Sequence, residues 1–209
     1  NPSARTPGDV DIWVNAGREE IRALAHSLVK NTNGQVDDES INHIGLTING
    51  VTVELHSTPG FMANFVYNWR LQKWLKRNVD AQCGNMVELV HGDGAVAVPT
   101  SSFNCVYQLY HLYHHYFYEG VGLRQVVDYF FVVRKWNEDC DKLSSLQREL
   151  KLLGLWRFAG AVMFVLHQVM GLPEEMMIAP MDAKRGRMLL DDILNGGNFG
   201  HYDKRMDLG

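Results

Sequence analysis

Residues 43–56, HIGLTINGVTVELH, limit what this chain can fold into more than any other stretch. Asn49-Gly50 separates two runs in which apolar and polar residues alternate. Such a dipeptide supplies the positive-φ positions that a two-residue hairpin turn demands. With Ile48 facing Val51, Leu46 opposes Val53 and Ile44 opposes Leu55, and these residues make one apolar face. The other face carries His43, Gly45 and Thr47 against His56, Glu54 and Thr52. Gly45 lies opposite Glu54, which leaves open space over a carboxylate.

A hairpin with one apolar face needs helices to cover it, and the chain offers them. A strand is expected over residues 9–14, entered through a Pro7-Gly8 turn. Residues 17–30 follow as an amphipathic helix, with Ile21, Leu24, Ala25 and Leu28 on one stripe, ended by Asn33-Gly34. Beyond the hairpin come a helix over 61–77 and a second hairpin, 86–90 with 95–98, closed by Pro99. Helical periodicity then predicts helices over 101–118, 122–136, 141–153, 156–170 and 182–195. The expected architecture is α+β over residues 1–99, a small sheet with flanking helices, followed by a helical domain over 100–209.

Composition excludes several classes. A formal net charge of −4 argues against a dedicated nucleic-acid surface, because phosphate backbones favour basic proteins. Cys83, Cys105 and Cys140 form no C-x-x-C pair, so neither a zinc knuckle nor a disulfide framework is indicated. Apolar runs are broken well before the ~20 residues that span a bilayer, and no signal peptide opens the chain. The expectation is a cytoplasmic protein with reduced thiols and no membrane partner.

Asp9-Val10-Asp11 carries the first chemistry. Alternation along a strand projects both aspartates from one face. Two adjacent carboxylates repel, and a hard divalent cation relieves that repulsion. An isolated D-x-D is also what a solvated strand end looks like. Glu54, on the polar face of the hairpin, adds a third acid. Three acids on one sheet face suit metal-dependent phosphoryl transfer.

The motif R-x-x-G-D-x-D-hydrophobic (Arg5 to Ile12), followed by Val53-Glu54-Leu55-His56, resembles the uncharacterised nucleotidyltransferase branch of the polymerase-β-like superfamily. His111, His115, Gly120-Val121-Gly122-Leu123-Arg124-Gln125 and Asp128 extend the resemblance into the helical half. The resemblance implies a small mixed sheet of nucleotidyltransferase type. It also implies that Asp9, Asp11 and Glu54 are catalytic and hold Mg2+ or Mn2+, with Glu54 helping to deprotonate an attacking hydroxyl. Arg5, Gly8 and Arg124 would touch the nucleotide. The reaction implied is transfer of a nucleoside monophosphate from a nucleoside triphosphate, ATP by preference, to an acceptor hydroxyl, small-molecule or macromolecular, with release of pyrophosphate.

One feature departs from the superfamily, which places a G-S or G-G turn ahead of D-x-D to cradle the β- and γ-phosphates. Asn1-Pro2-Ser3-Ala4 supplies no such turn. The α+β domain is therefore expected to lack its first strand and helix, and the alternative reading is an inactive, antitoxin-like binding module. A second alternative is a histidine-metal hydrolase built on His111, His114 and His115, whose spacing also fits a packed helix face. Arg124 and Asp128 have the spacing of a helix salt bridge. Arg70, Lys73 and Arg77 share one helix face, either solvated or screening phosphate.

Overall fold

The computed structural model describes residues 8–40, 43–92, 94–139 and 142–196. It is α+β, and the chain divides into two compact units, one of residues 1–61 with 72–80, the other of residues 62–71 with 81–209.

In the first unit, β1 (Val10–Trp13), α1 (Arg18–Thr32), β2 (Gln35–Glu39), β3 (His43–Ile48) and β4 (Val51–His56) follow in sequence. The strands form a four-stranded mixed sheet in the order β1-β4-β3-β2. The hairpin has the expected register, Ile48 against Val51 through His43 against His56. Its turn uses positive φ at Asn49 and Gly50, 51° and 77°. β1 joins the far edge of β4 in parallel, pairing Val10 with Val53 through Trp13 with His56.

The core of this unit lies between α1 and the apolar face of β3 and β4. Ile21 and Ala25 from the helix pack with Ile44, Leu46 and Leu55 from the strands. Gly17 caps the helix, its amide donating to Glu20 Oε2 at 2.7 Å. Asn33, with φ 51°, turns the chain out of it. Gly34 must be glycine, because a Cβ there would sit 2.7 Å from the Thr47 carbonyl oxygen. On the edge strand, Val10 and Ile12 stay 45% and 40% exposed, so the apolar side of β1 is only partly covered.

Two elements differ from the sequence reading. β2 has no apolar alternation, and its run of acids is disfavoured in strands. It forms as a charged edge strand against β3, with a bulge between Val36 and Asp38. The helix expected over 61–77 is α2 (Phe65–Cys83). Asn64 sets its start by accepting the amides of Val66 and Tyr67 at 3.0 and 3.1 Å. Gly84 follows its end, and α2 contributes residues to both units.

The second unit holds a short two-stranded sheet, β5 (Met86–Glu88) with β6 (Ala95–Ala97), and a single helical turn between them at Val90–Gly92. Then come α3 (Ser101–Tyr118), α4 (Leu123–Asp139), α5 (Leu143–Leu152), α6 (Trp156–Met170) and α7 (Ala183–Gly196), close to the expected spans. Buried Gln82 accepts from the Thr100 amide and hydroxyl at 2.8 and 3.1 Å, fixing the entry to α3. Tyr129 joins α4 to α3, its hydroxyl donating to the Cys105 carbonyl at 2.9 Å. Tyr116 joins α3 to α7 through Asp192 at 2.6 Å.

Leu46, fully buried between α1 and the sheet, tests this core. Leu46→Ala should lower stability by about 2–5 kcal/mol, through lost burial and the cavity left behind. Val51→Ala, 46% exposed on the same strand pair, should change it by less than about 1 kcal/mol. Urea unfolding followed by circular dichroism compares the two.

Candidate functional site

The polar face of the four-stranded sheet is built by register. Asp11 pairs with Glu54, Glu54 with Gly45, and Gly45 with Asp38, so one row crosses all the strands. The adjoining row is Trp13, His56 and His43. Residues directly opposite on neighbouring strands project to the same side. Three carboxylates and two imidazoles therefore share one face, and Gly45 leaves a gap between Glu54 and Asp38.

The side chains converge. His56 Nε2 lies 2.9 Å from Asp11 Oδ1 and 3.2 Å from Glu54 Oε2. His43 Nε2 lies 3.7 Å from Glu54 Oε1 and 3.6 Å from Asp38 Oδ2. Glu54 thus turns one oxygen to each histidine. The His56 side chain is 16% exposed and those of His43 and Glu54 25%, so these form the floor, with Asp11 and Asp38 at the rim. Ser40 holds His43 from behind, its Oγ 3.1 Å from Nδ1.

That contact orients the ring. When Nδ1–H donates to Ser40 Oγ, the Ser40 proton goes to the His43 carbonyl at 3.2 Å, and the His43 amide also donates to Oγ at 3.1 Å. His43 Nε2 is then left with its lone pair toward the acids. The ligand atoms of His43, Glu54 and His56 all lie within 4.8 Å of one another. Among the described residues this is the group of three or more metal-ligating side chains that such proximity picks out. With neutral imidazoles the face carries an excess of negative charge, which a divalent cation offsets.

Of the residues singled out from sequence, Asp11 and Glu54 are register partners, and both reach His56. Asp9 and Gly8 are exposed and lie just ahead of β1. Arg5 lies outside the described residues. Arg124 is the second residue of α4, in the helical unit. His43, Asp38 and Ser40 were not singled out, and His56 entered only as the last residue of the Val53-Glu54-Leu55-His56 motif. Alternation along β3 and β4 already put His43 and His56 beside Glu54. Asp38 had no such signal, because its strand is not legible as one.

A model of the uncharacterised nucleotidyltransferase family matches residues 1–171. The chain belongs to that family. Membership supports a general role in nucleotidyl transfer, and the family match runs through both units. No curated protein and no solved structure matches the chain. Among the described residues, no helix is long and apolar enough to cross a membrane.

The histidines of α3 are arranged differently. His115 Nε2 lies 2.9 Å from His111 Nε2, and its Nδ1 lies 2.8 Å from Glu119. His114 turns instead toward Tyr110 and Tyr118, at ring distances of 6.2 and 4.8 Å. The three do not converge on one point, which removes the basis of the histidine-metal hydrolase reading. Arg70 has a structural task, its Nη1 donating to the Leu152 carbonyl at 3.1 Å while the guanidinium lies over Tyr67.

Burial lowers the pKa of His114, an effect opposed by Glu119 and reinforced by His115. Below the ordinary imidazole value of about 6.5, the unfolded chain therefore binds more protons at this position than the folded one. Stability should fall as the pH drops through that value. His114→Gln should flatten this acid-side slope, as read from melting temperatures between neutral and mildly acidic pH.

Proposed function

We propose that the polar face of the sheet transfers a nucleoside monophosphate from a nucleoside triphosphate, ATP by preference, to an acceptor hydroxyl. The in-register pair Asp11 and Glu54, in a chain of this family, carries the reading. Their carboxylates lie on facing positions of parallel strands, with His56 Nε2 2.9 Å from Asp11 and 3.2 Å from Glu54. The two carboxylates fit a divalent cation, Mg2+ or Mn2+, with Asp9 completing the set from the residue ahead of β1.

The cation, when bound, screens the triphosphate and stabilises the entering and leaving oxygens. Asp11 and Glu54 fix where the triphosphate is held. The acceptor oxygen attacks the α-phosphorus, forming one P–O bond as the bond to the β-phosphate oxygen breaks and pyrophosphate leaves. The hydroxyl proton passes to Glu54, whose second oxygen is within reach of His43. Gly45 opposite Glu54 keeps this part of the face open to substrate.

Asp11→Asn keeps the size of the side chain and removes its charge. With Mn2+ and each of the four common nucleoside triphosphates, the parent chain should be stabilised by one of them. The gain is about 2.7 kcal/mol at a hundredfold excess over Kd. Asp11→Asn should lose that gain and keep its circular dichroism spectrum. Equal stabilisation of parent and variant would overturn the assignment.

A further inference from the structure

We propose that His43, Glu54 and His56 form a site for one nitrogen-preferring transition ion of the zinc class, distinct from the ion that accompanies the nucleotide. It rests on the transfer reading only for its consequence, since Glu54 is common to both.

The distances suit such an ion. Zinc bonds to nitrogen and carboxylate oxygen at about 2.0–2.1 Å, so ligand atoms at tetrahedral corners lie roughly 3.3 Å apart. Here His56 Nε2 and Glu54 Oε2 are 3.2 Å apart, and His43 Nε2 and Glu54 Oε1 are 3.7 Å apart. These two distances involve different oxygens of Glu54; with one ligand atom taken from each residue, all three separations are within 4.8 Å before any ion draws the groups together. Two histidines and one glutamate leave a fourth corner open, and Asp11 Oδ1 lies 2.9 Å from His56 Nε2.

The donor types discriminate between ions. Imidazole suits zinc and its neighbours, whereas magnesium takes oxygen donors and keeps much of its water. A site for magnesium alone has no use for two ring nitrogens at its floor. Each ligand is also set by strand pairing: His43 opposes His56, and Glu54 is the register partner of Gly45. Ser40 supplies the outer contact that metal-binding histidines commonly have, holding Nδ1 so that Nε2 faces the ion. Asp38, 3.6 Å from His43 Nε2, adds negative charge at the rim.

An ion held there by Glu54 would polarise the carboxylate that the transfer reaction uses. Zinc-class ions would thereby tune the affinity of the face for nucleotide.

The test is a Zn2+ titration of the full chain against a chromophoric chelator, with millimolar Mg2+ and no nucleotide. One equivalent should bind, and His43→Ala and His56→Ala should each weaken it about a hundredfold or more, since loss of an outer contact alone weakens sites by about 10–100-fold. Ser40→Ala, which leaves every ligand in place, should fall within that smaller range. His26→Ala, exposed on α1 away from these residues, should bind as the parent does. Co2+ should give the strong visible bands of a four-coordinate nitrogen-oxygen site, lost in the same variants. If the alanine variants fold poorly by circular dichroism, His43→Asn and Ser40→Ala carry the test. Unchanged zinc affinity in the His43 and His56 variants, or displacement of zinc by millimolar Mg2+, overturns the proposal. Zinc binding by a chain that no nucleoside triphosphate with Mn2+ stabilises would sink the transfer reading alone. Asp11-dependent nucleotide binding without a zinc site would sink this inference alone.

Discussion

β4 pairs in parallel with β1 along one edge and antiparallel with β3 along the other, and Asp11, Glu54, His43 and His56 all hang from those ladders. A one-residue slip on either side would send Glu54 or its partners through the sheet into the α1 core. The apolar residues prevent the slip. Leu46 and Leu55 are buried against Ile21 and Ala25, so the register that buries them is the one that raises Glu54 and His56 on the opposite face. The stability of the core and the geometry of the site are consequences of the same alternation.

The acids of β2 show how the sheet handles repulsion. Unbroken alternation after Val36 would have put Asp37 opposite Gly45. The bulge moves the pairing on by one, so Asp38 faces Gly45 and Glu39 faces Ile44. Asp37 accepts from Thr47 at 2.7 Å and Glu39 pairs with Arg22 of α1 at 2.9 Å. Asp38 is thus the β2 acid directed at His43. A row of like charges is destabilising on its own. The imidazoles of the adjoining row, His56 and His43, stand within 3.7 Å of these carboxylates, and the two rows together make a mixed nitrogen-oxygen donor set.

What the sequence disclosed follows from which forces leave a periodic trace. The hairpin register, down to Gly45 against Glu54, was legible because a buried face imposes a strict period on its residues. Helices α3 and α6 were legible for the same reason. β2 was not, because an edge strand owes its place to backbone pairing with β3 and carries only a bulged run of charges. The start of α2 was misplaced by reading its apolar residues and passing over Asn64, whose side chain fixes the first turn. At the site, the sequence yielded the carboxylates, which match a family motif. His43 and His56 were visible on the same face, and their part depended on ring direction, which alternation does not give.

Direction is also what separates the two histidine groups. On α3, spacing of one helical turn brings His111 and His115 close enough for one ring to donate to the other, while Glu119 approaches from the Nδ1 side of His115. The two Nε2 atoms there face each other, and the Glu119 carboxylate stands beside Nδ1 of His115. On the sheet, His43 and His56 sit across a strand pair, and their ring centroids are 5.4 Å apart. Each Nε2 instead faces Glu54, which lies between them. Helical spacing turns the imidazoles of α3 into each other's partners, whereas strand pairing holds those of the sheet apart around a carboxylate. The same residue type packs a helix in one unit and offers a cation its ligands in the other, because the backbone sets where the lone pairs point.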